Sequence, residues 1–430
     1  MAEWVCCARE FGETNGKVVG EMRKVLIVGA GQSGLQLGLS LQALRYEVTL
    51  ISARTPAEIR GGRVMSTQVM FRTALGCERE HGLNLWEEQA PKITGLRLSV
   101  GGPDGSRVLD WRGELTGFAQ SVDQRLKMAG WLELFAERGG AVEYRDIEAS
   151  DLDELSRGYD LVLVAAGAGK LGRIFERDPG WSPFAEPQRA LAVSYLRGAA
   201  PSSDVDDSGL VRFNSVPGVG EVFVIPGYTE GGPCDILFFE GLPGGPLDCW
   251  ADRPGPEEHR ARMLELLRAH MPWEHERFAG AELTDDRAVL AGGVTPVVRK
   301  PVARLPSGAA VLGMADAVVV TDPVTGQGVN SASKAAESYL DSIVRRADRP
   351  FHAEWMQETF DRFWDYARHV TVWSNAMLQP SPPHVQRLLG AAVEIPAIRN
   401  RFVNGFDDPA DFESWFLDPA GAEEYLSRLS

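Results

Sequence analysis

The sequence feature that most constrains the fold is a glycine-rich stretch directly after a short apolar run. Residues 25–28 have the composition of a buried parallel strand, and Gly29-x-Gly31-x-x-Gly34 follows before apolar residues at helical spacing. Gly29 permits a tight turn, Gly31 allows a pyrophosphate to approach the backbone, and Gly34 lets helix and strand pack closely. A second strand predicted at residues 47–51 completes a βαβ unit, so the stretch predicts a dinucleotide site at a helix N-terminus.

The same stretch leaves the identity of the dinucleotide open. A site for NAD or FAD usually closes the second strand with Asp or Glu, which holds the ribose hydroxyls. Here Ser52-Ala53-Arg54 stands at that place, so Ser52 is expected to accept one hydroxyl and Arg54 to meet a phosphate or only solvent. Gln32 and Ser33, at the start of the helix, belong to the same predicted cofactor site. A glycine-rich loop in another kind of α/β protein is the alternative.

Charge and cysteine content narrow the class of partner and the compartment. The formal net charge of −16 argues against nucleic acid, because a phosphate backbone would be repelled. The five cysteines show no metal-ligand spacing, so no metal site is predicted, and their odd number without a disulfide framework favours the reducing cytoplasm. The sequence contains no apolar run of about eighteen residues and therefore predicts no membrane span. Residues 1–22 lack the apolar core of a secretory signal and are interpreted as an extension.

Residues 63–71 are predicted to form a strand whose two faces differ in polarity. Alternation places Ser66, Gln68 and Met70 on one face and Thr67, Val69 and Phe71 on the other. Two polar side chains and a flexible thioether suit the wall of a cavity, whereas the second face has the composition of ordinary core. A half-exposed strand is the alternative interpretation.

The middle of the chain changes from alternating strand and helix patterns to strands alone. Residues 93–100 and 106–111 are predicted to form a β-hairpin, and strand patterns between residues 189 and 240 predict a largely antiparallel sheet. Before that change, a buried strand pattern at 161–167 ends in Ala166-Gly167, which is small enough for a dinucleotide to pass close to the backbone.

A second predicted anion-facing helix N-terminus lies far along the chain. An apolar strand pattern at residues 310–315 is followed by Asp316, and the glycine-bracketed loop at 322–330 then begins a helix. A plain loop with a glycine cap is the alternative for this segment. Residues 353–430 are predicted to be helical, with an aromatic stripe that packs as core.

Taken together, the glycine loop, Asp316 and the loop at 322–330 make the chain resemble the FAD-dependent aromatic monooxygenases. The resemblance implies an α/β fold with a Rossmann-like FAD-binding domain, an inserted mixed or antiparallel β-sheet substrate domain and C-terminal helices, the aromatic-hydroxylase-like flavoprotein fold. The implied boundaries are an extension at 1–22, an FAD-binding domain from 23–60, 121–180 and 300–345, a substrate domain from 61–120 and 181–299, and a helical cover at 346–430.

The resemblance also implies roles for individual residues. Asp316 would hold the ribityl chain, Arg125 would lie near the FAD phosphates or ribose, and Arg63 would contact the flavin. The helix dipole behind the loop at 322–330 would stabilise negative charge on a reduced flavin. The other members of the implied cofactor site are Ala166, Gly167, Pro323, Gly326, Gln327, Gly328 and Asn330.

Longer motifs make the chain similar to the two-component styrene/indole monooxygenases. These motifs are Ser182-Pro183-Phe184-x-x-Pro187-Gln188-Arg189-Ala190-Leu191, Gly292-Gly293-Val294-x-Pro296 and Asp322-Pro323-Val324-x-Gly326-Gln327-Gly328-x-Asn330. Within that group styrene enzymes carry Asn-x-Val-x-His where this chain has Ser66-Thr67-Gln68-Val69-Met70, the indole pattern. Ile93 and Ala119 also match the indole type, and Leu96 replaces the usual isoleucine.

This resemblance implies the oxygenase component of a two-component enzyme. A separate NADH-dependent flavin reductase would supply FADH₂, and O₂ would give a flavin C4a-hydroperoxide that epoxidises indole, with styrene-like alkenes and aryl sulfides as further substrates. Ser66 and Thr67 would lie near the peroxide, Gln68 would accept the indole N–H, and Met70, Ile93, Leu96 and Ala119 would shape the pocket. A cytoplasmic homodimer is implied. The alternatives are a single-component NAD(P)H-dependent hydroxylase and a non-catalytic flavin-binding protein.

Overall fold

The computed structural model describes residues 22–167, 169–201 and 207–429. The extension predicted at residues 1–22 lies outside this part of the chain except for Met22, as do Cys6 and Cys7. The described strands form a six-stranded sheet, an eight-stranded sheet and a short two-stranded pair. Over the same residues, no helix combines the length and the apolarity needed to cross a bilayer.

The first sheet is built around the strand that precedes the glycine loop. Its strands are β1 (Lys24–Val28), β2 (Glu47–Ser52), β5 (Ala141–Tyr144), β6 (Leu161–Val164), β14 (Val302–Arg304) and β15 (Ala310–Gly313). Their order is β14-β15-β6-β1-β2-β5, parallel from β15 to β5 with an antiparallel edge at β14. The carboxyl ends of β1, β6 and β15 therefore meet at one edge of the sheet, where α/β proteins bind their ligands.

The second sheet is almost entirely antiparallel. Its strands are β3 (Ile93–Gly101), β4 (Arg107–Ala119), β7 (Ala190–Arg197), β8 (Leu210–Val216), β9 (Gly220–Thr229), β10 (Gly232–Gly241), β11 (Glu282–Leu283) and β12 (Val289–Gly292). They run β11-β7-β10-β9-β8-β3-β4, with β12 also paired to β7, and only β3 and β8 are parallel among them. The hairpin predicted at 93–111 is confirmed as β3 and β4. The remaining pair is β13 (Val297–Val298) with β16 (Val319–Val320).

The helices surround the first sheet and form most of the C-terminal part. They are α1 (Gln32–Ala43), α2 (Pro56–Arg60), α3 (Arg72–Glu80), α4 (Gln124–Glu137), α5 (Ala149–Leu155), α6 (Pro256–His270), α7 (Pro272–Phe278), α8 (Gly328–Arg346), α9 (Ala353–Met377), α10 (Pro383–Ala391), α11 (Pro396–Asn404) and α12 (Pro419–Leu429). Short 3₁₀ turns include Ala315–Ala317 and Pro323–Thr325. The α/β fold predicted from the sequence, with its mixed second sheet and C-terminal helices, is thus confirmed; the boundaries between domains stay a prediction.

Two large hydrophobic clusters and a small one, formed by Met70, Ala74 and Leu75, make up the core of the described residues. The first contains residues from both faces of the six-stranded sheet, which we call the Rossmann-like sheet, and α1, α4 and α8 pack against it. The second joins the antiparallel sheet to the C-terminal helices. The aromatic stripe divides between them: Phe363 of α9 lies in the first cluster, and Trp373, further along the same helix, lies in the second. Helix α9 therefore ties the two sheets together through its own buried face.

The prediction of a regular strand at residues 63–71 is wrong. The segment is extended, but its pairing is limited to a single bridge between Met70 and Gln120. The reason lies on α8, where the side chain of Asn330 donates to the carbonyl of Val69 at 2.8 Å and accepts from the N–H of Phe71 at 2.9 Å. A side chain takes the place of a neighbouring strand there, so no ladder continues.

Candidate active site

The glycine loop has two glycines fixed by packing and one that faces open space. Gly29 has φ +122°, and a Cβ there would lie 2.4 Å from the carbonyl oxygen of Ala165. A Cβ on Gly34 would lie 2.0 Å from the carbonyl oxygen of Gly29. Gly31 is exposed and has no atom within 4 Å of an ideal Cβ. It is also the N-cap of α1 and provides no side-chain cap, so the first N–H groups of the helix face this open side.

The polar side chains around this loop form their hydrogen bonds mainly within the protein. The Gln32 amide donates to Gln36 Oε1 at 3.1 Å and to Glu78 Oε1 at 3.0 Å. Ser33 is buried in the first turn of α1. At the end of β2 the Ser52 hydroxyl donates to the carbonyl of Arg54, whose own side chain is exposed. The predicted ribose contact of Ser52 therefore competes with a turn inside the chain.

The two arginines predicted to meet the cofactor have different surroundings. Arg63 is exposed. Arg125 is buried at the start of α4, where its guanidinium forms ion pairs with Asp123 at 2.7 Å and with Asp285 at 2.9 Å. These hydrogen bonds raise the pKa of Arg125 above its ordinary value against the opposing effect of burial. A phosphate or ribose would have to share this arginine with two carboxylates.

Two further members of the predicted cofactor site lie at the carboxyl ends of neighbouring strands. Ala166 and Gly167 follow β6, and Gly167 has φ +67° with no atom within 4 Å of an ideal Cβ. Asp316 follows β15, directly after Ala315, whose φ of +50° is uncommon for a residue with a side chain. Asp316 is an exposed residue, and desolvation by the protein around its carboxylate raises its pKa to about 6.

The loop at residues 322–328 is held rigidly from inside and from α9. The Asp322 carboxylate accepts from the N–H of Val324 at 3.1 Å, which caps the 3₁₀ turn Pro323–Thr325. The Thr325 hydroxyl is 2.6 Å from that of Ser374 on α9. Gly326, the next residue, has φ +63° and open space where a Cβ would stand, so the backbone of the turn is accessible at this point.

Gln327 and Asn330 anchor the same loop, and both side chains are fully buried. The Gln327 amide donates to the carbonyl of Phe406 at 2.8 Å. The Asn330 amide donates to the carbonyls of Val69 and Gly326 at 2.8 and 3.0 Å. These side chains are occupied by the protein, so their part in a cofactor site is to position the backbone. Gly328, which is exposed, begins α8 without a side-chain cap.

The extended segment at 66–71 separates two cavities, and its alternate side chains face different ones. Thr67, Val69 and Phe71 line an apolar cavity with an empty space of about 540 Å³, mouth included. Gln68 and Met70 line a second, more polar cavity on the other side, whose empty space of about 360 Å³ includes open solvent at its mouth. The sequence predicted a cavity wall for the face that holds Gln68 and Met70, and these two residues do line a cavity. It predicted core for Thr67, Val69 and Phe71, which is wrong, because apolar side chains on a cavity wall have the same pattern as apolar side chains in a core.

The apolar cavity combines elements from distant parts of the chain. Ile93 and Leu96 of β3 line it, whereas Ala119, which pairs with Ile93 across the hairpin, is buried behind this wall. Its other lining residues, which the sequence analysis did not single out, include Phe223, Ile225, Phe238, Val403 and Phe406. Pro323–Thr325 and Gly326 close one side. The aromatic residues of β9 and β10 carry no signal that separates a cavity wall from a core, which is why they were missed.

Gln68 and Ser66 are held by a residue on β7. The Gln68 amide donates to the hydroxyl of Tyr195 at 2.8 Å, and the Ser66 hydroxyl donates to Gln68 Oε1 at 2.7 Å. Tyr195 in turn donates to the carbonyl of Ser66 at 2.7 Å. Burial raises the pKa of Tyr195 well above its ordinary value, so the phenol stays protonated as a donor. The predicted contact between Gln68 and a substrate stays a prediction, and here the amide faces the second cavity.

The second cavity contains a buried ion pair. Lys127 of α4 and Glu78 of α3 are in contact, and the Lys127 ammonium lies 2.9 Å from the sulfur of Met70. Burial lowers the pKa of Lys127, while Glu78 opposes that shift. Since Glu78 also accepts from Gln32, the pair links the start of α1 to the segment that separates the cavities. Among the described residues, no cluster of His, Cys, Asp and Glu is suited to a metal ion.

Comparison with known proteins gives consistent matches. Residues 167–277 match the family model for the substrate-binding domain of styrene monooxygenase A. The chain is 31% identical over 417 residues to styrene monooxygenase StyA of Pseudomonas fluorescens, covering 95% of this chain and 98% of the relative. A second StyA, from a Pseudomonas species, is 31% identical over 419 residues, with 95% and 98% coverage.

Solved structures resemble the fold at lower identity. A flavoprotein/dehydrogenase from Cytophaga hutchinsonii superposes with a TM-score of 0.63 at 14% identity, covering 89% of this chain and 91% of the other. The flavin-dependent halogenase CmlS gives a TM-score of 0.62 at 19% identity, covering 93% and 71%. At these identities the likeness shows the fold alone.

Proposed function

This chain belongs to the styrene monooxygenase StyA family, and from that premise we propose that it is the oxygenase component of a two-component flavoprotein monooxygenase that epoxidises indole. A separate NADH-dependent reductase would supply the reduced FAD, and O₂ would be the second substrate. Styrene-like alkenes and aryl sulfides would be further substrates. The proposed partners are that reductase and a second copy of this chain in a homodimer.

The residues at the carboxyl ends of β1, β6 and β15 fit FAD. Gly31, Gly167, Gly326 and Gly328 all face open space where a side chain would stand, which leaves the backbone accessible to a large planar ligand. The uncapped N-termini of α1 and α8 offer free N–H groups to anionic parts of that ligand. Asp316 offers an accessible carboxylate at the end of β15, and along the chain it lies between α1 and α8. Bound reduced flavin would supply the activation of O₂ that no side chain provides.

The observation that carries the proposal is the apolar cavity against the turn Pro323–Thr325. Its walls are hydrocarbon and aromatic, so they would exclude water and hold a fused aromatic ring by burial. Two hydroxyl groups lie on this wall, those of Thr67 and Thr325. The Thr325 hydroxyl is bonded to Ser374, whereas the Thr67 hydroxyl has no partner among the described residues. We infer that Thr67 is the polar group that orients a substrate inside the cavity, and that the protein needs no general base.

Indole as the substrate rests on the sequence pattern Ser66-Thr67-Gln68-Val69-Met70 and on Ile93, which match the indole type. The electron-rich C2=C3 bond of indole would receive the oxygen atom. Gln68 lines the other cavity, so it would affect the choice of substrate by holding this segment through Tyr195, and the direct contact predicted from the sequence stays a prediction. Leu96, the departure from the usual isoleucine, lies on the cavity wall, so it would change the shape available to the ring.

The test is turnover of indole by the purified chain with FAD, NADH and O₂, measured with and without an added flavin reductase. We expect the product 2,3-epoxide and its indigo pigment only with the reductase. Turnover without it would indicate a single-component hydroxylase. Flavin binding without turnover in either case, while a known styrene monooxygenase works with the same reductase, would indicate a non-catalytic flavin-binding protein.

A further inference from the structure

A buried glutamate on β10 has no use in the site described so far. Glu240 pairs with Glu221 of β9 in the sheet register, and its residue is 0% exposed. Neither of its carboxyl oxygens meets a hydrogen-bond donor among the described residues, and the group beside them is the carboxylate of Asp322. Buried ionised carboxylates are almost always paired, because leaving one alone costs several kcal/mol, on the order of the whole stability of a domain. The side chain therefore requires an explanation.

Three charged groups face Glu240. Arg189 approaches from the start of β7, Glu221 from β9, and Asp322 from the loop that closes the apolar cavity. Arg189 is committed elsewhere: it forms an ion pair with Glu221 at 2.8 Å and donates to the carbonyls of Gln188 and Leu378. One arginine thus neutralises one of three carboxylates, and Glu240 and Asp322 remain as an excess of buried negative charge.

Asp322 has one oxygen in use and one left over. Its Oδ1 accepts from the N–H of Val324, whereas its Oδ2 has no partner among the described residues. Asp322 is also 0% exposed. Two like charges that are buried beside each other cannot both be stable, so one proton resides on the pair at neutral pH. Burial and the negative charge of Asp322 raise the pKa of Glu240 well above its ordinary value, and burial raises that of Asp322 only to about 6.

We propose that Glu240 is a protonated positioning residue, whose carboxylic acid donates a hydrogen bond to Oδ2 of Asp322 and so anchors the loop at 322–328 to strand β10. The bond joins the unpartnered oxygens of both side chains and leaves Oδ1 free to cap the turn Pro323–Thr325. The loop is then held from the antiparallel sheet as well as from α9, where Ser374 binds Thr325. The anchoring of the turn that closes the cavity therefore depends on one proton, that of the Glu240 carboxylic acid.

Infrared spectroscopy of the full chain tests the proposal directly. At pH 8 we expect the C=O stretch of a protonated carboxylic acid, shifted in D₂O and absent in Glu240→Gln. Asp235→Asn is the control, because Asp235 lies on the same strand, has a pKa raised only to about 6, and is ionised at pH 8. A band that survives in Glu240→Gln and disappears in Asp322→Asn would place the proton on the wrong residue and overturn the proposal, as would no band at all.

Stability as a function of pH gives a second readout without cofactor. Since folding raises the pKa of Glu240, its protonated form is fully stable below the ordinary value of 4.5, and stability is lost as the pH rises toward the folded value. Relative to Glu240→Gln, the folding equilibrium constant of the natural chain should fall about tenfold per pH unit over that range. A constant ratio, or a Glu240→Gln chain that does not fold, contradicts the proposal.

The consequence for flavin rests on the proposed function. At pH 7 Glu240→Gln, which keeps a donor, should bind FAD as the natural chain does, whereas Glu240→Ala should bind it about tenfold more weakly because the loop loses its anchor. If no variant binds FAD, the proposed function fails while the infrared and stability results still decide the role of Glu240. Equal binding by Glu240→Ala would contradict the anchor.

Discussion

The side chain of Asn330 is bonded to the backbone of Val69 as a neighbouring strand would be. It donates to the Val69 carbonyl at 2.8 Å and accepts from the N–H of Phe71, so the residue between them is bridged from α8. The same amide donates to the carbonyl of Gly326 at 3.0 Å. One buried side chain therefore fixes the distance between the turn that closes the apolar cavity and the segment that lines it.

Replacing Asn330 by alanine should leave two buried backbone groups without partners. We expect the free energy of unfolding to fall by about 2–6 kcal/mol, since each of the two unsatisfied groups costs roughly 1–3 kcal/mol. Urea denaturation of the purified chain measures it. Asn404→Ala is a suitable control, because that asparagine also bonds backbone groups but lies at a more exposed place. An equal, small loss in both variants would show that the bridge matters little.

The glycine loop predicts opposite outcomes for two alanine substitutions. Gly29→Ala should destabilise the chain by about 3–5 kcal/mol, because a Cβ would lie 2.4 Å from the Ala165 carbonyl at a φ that alanine disfavours. Gly31→Ala should leave the unfolding transition unchanged, because nothing lies within 4 Å of its Cβ.

The Gly31 variant should instead bind FAD more weakly, as measured by quenching of flavin fluorescence. The new methyl group would stand where a dinucleotide approaches α1. If Gly31→Ala bound FAD as well as the natural chain, the cofactor would not pass over this turn.

Thr67→Val keeps the volume of the side chain and removes its hydroxyl from the apolar cavity. We expect normal stability and a 3- to 10-fold lower kcat/KM for indole, about the value of one hydrogen bond. The assay uses a flavin reductase and excess FAD. Styrene, which has no N–H, serves as the control substrate, and an equal loss with both substrates would argue against an orienting hydrogen bond.

Tyr195→Phe removes the hydroxyl that holds Ser66 and Gln68. The free energy of unfolding should fall by about 1–2 kcal/mol, because the Ser66 carbonyl and the Gln68 amide lose a buried partner. The preference for indole over styrene should change in the same direction as in Gln68→Val. In the double variant the two changes should not add, because both act through one contact. Additive changes, or an unchanged preference in Gln68→Val, would refute this role.

Asp316→Asn should make the chain more stable and its flavin binding weaker. The folded pKa is raised to about 6 from 3.8, so the natural chain loses stability as the pH rises between these values, and the asparagine variant does not. The residue is exposed, and screening by solvent reduces the size of this loss. Thermal unfolding at pH 4 and pH 7 measures the difference, and fluorescence titration measures FAD affinity. Unchanged FAD affinity would remove Asp316 from the cofactor site.

The sequence predicted those parts of the fold that depend on local pattern. The turn at Gly29, the hairpin of β3 and β4, and the loop before α8 each carry glycine or alternation signals within a few residues. The irregular segment at 63–71 could not be predicted in this way. Its backbone is bonded by Asn330, which lies about 260 residues later, and local alternation contains no information about that contact.

The candidate site was predictable to a similar extent. Ile93 and Leu96 were identified by comparison with a family pattern, and both line the apolar cavity. Phe223 and Phe238 line it as well. From the sequence alone, an aromatic residue in a strand has the same pattern whether it lies in a core or on a cavity wall. Glu240 did carry a signal, because a glutamate within the apolar stretch of the strand at 232–241 is unusual, yet its meaning depends on Asp322 from the loop that follows β16.

The apolar cavity draws its floor from the antiparallel sheet and its rim from the turn after the Rossmann-like sheet. The side chains of β3, β9 and β10 that line the cavity can therefore change without altering the hydrogen bonds that Asn330 and Ser374 make to Gly326 and Thr325. The shape of the cavity floor and the position of the turn are thus set by separate contacts. A substitution on the floor can change which molecules fit while the turn keeps its place.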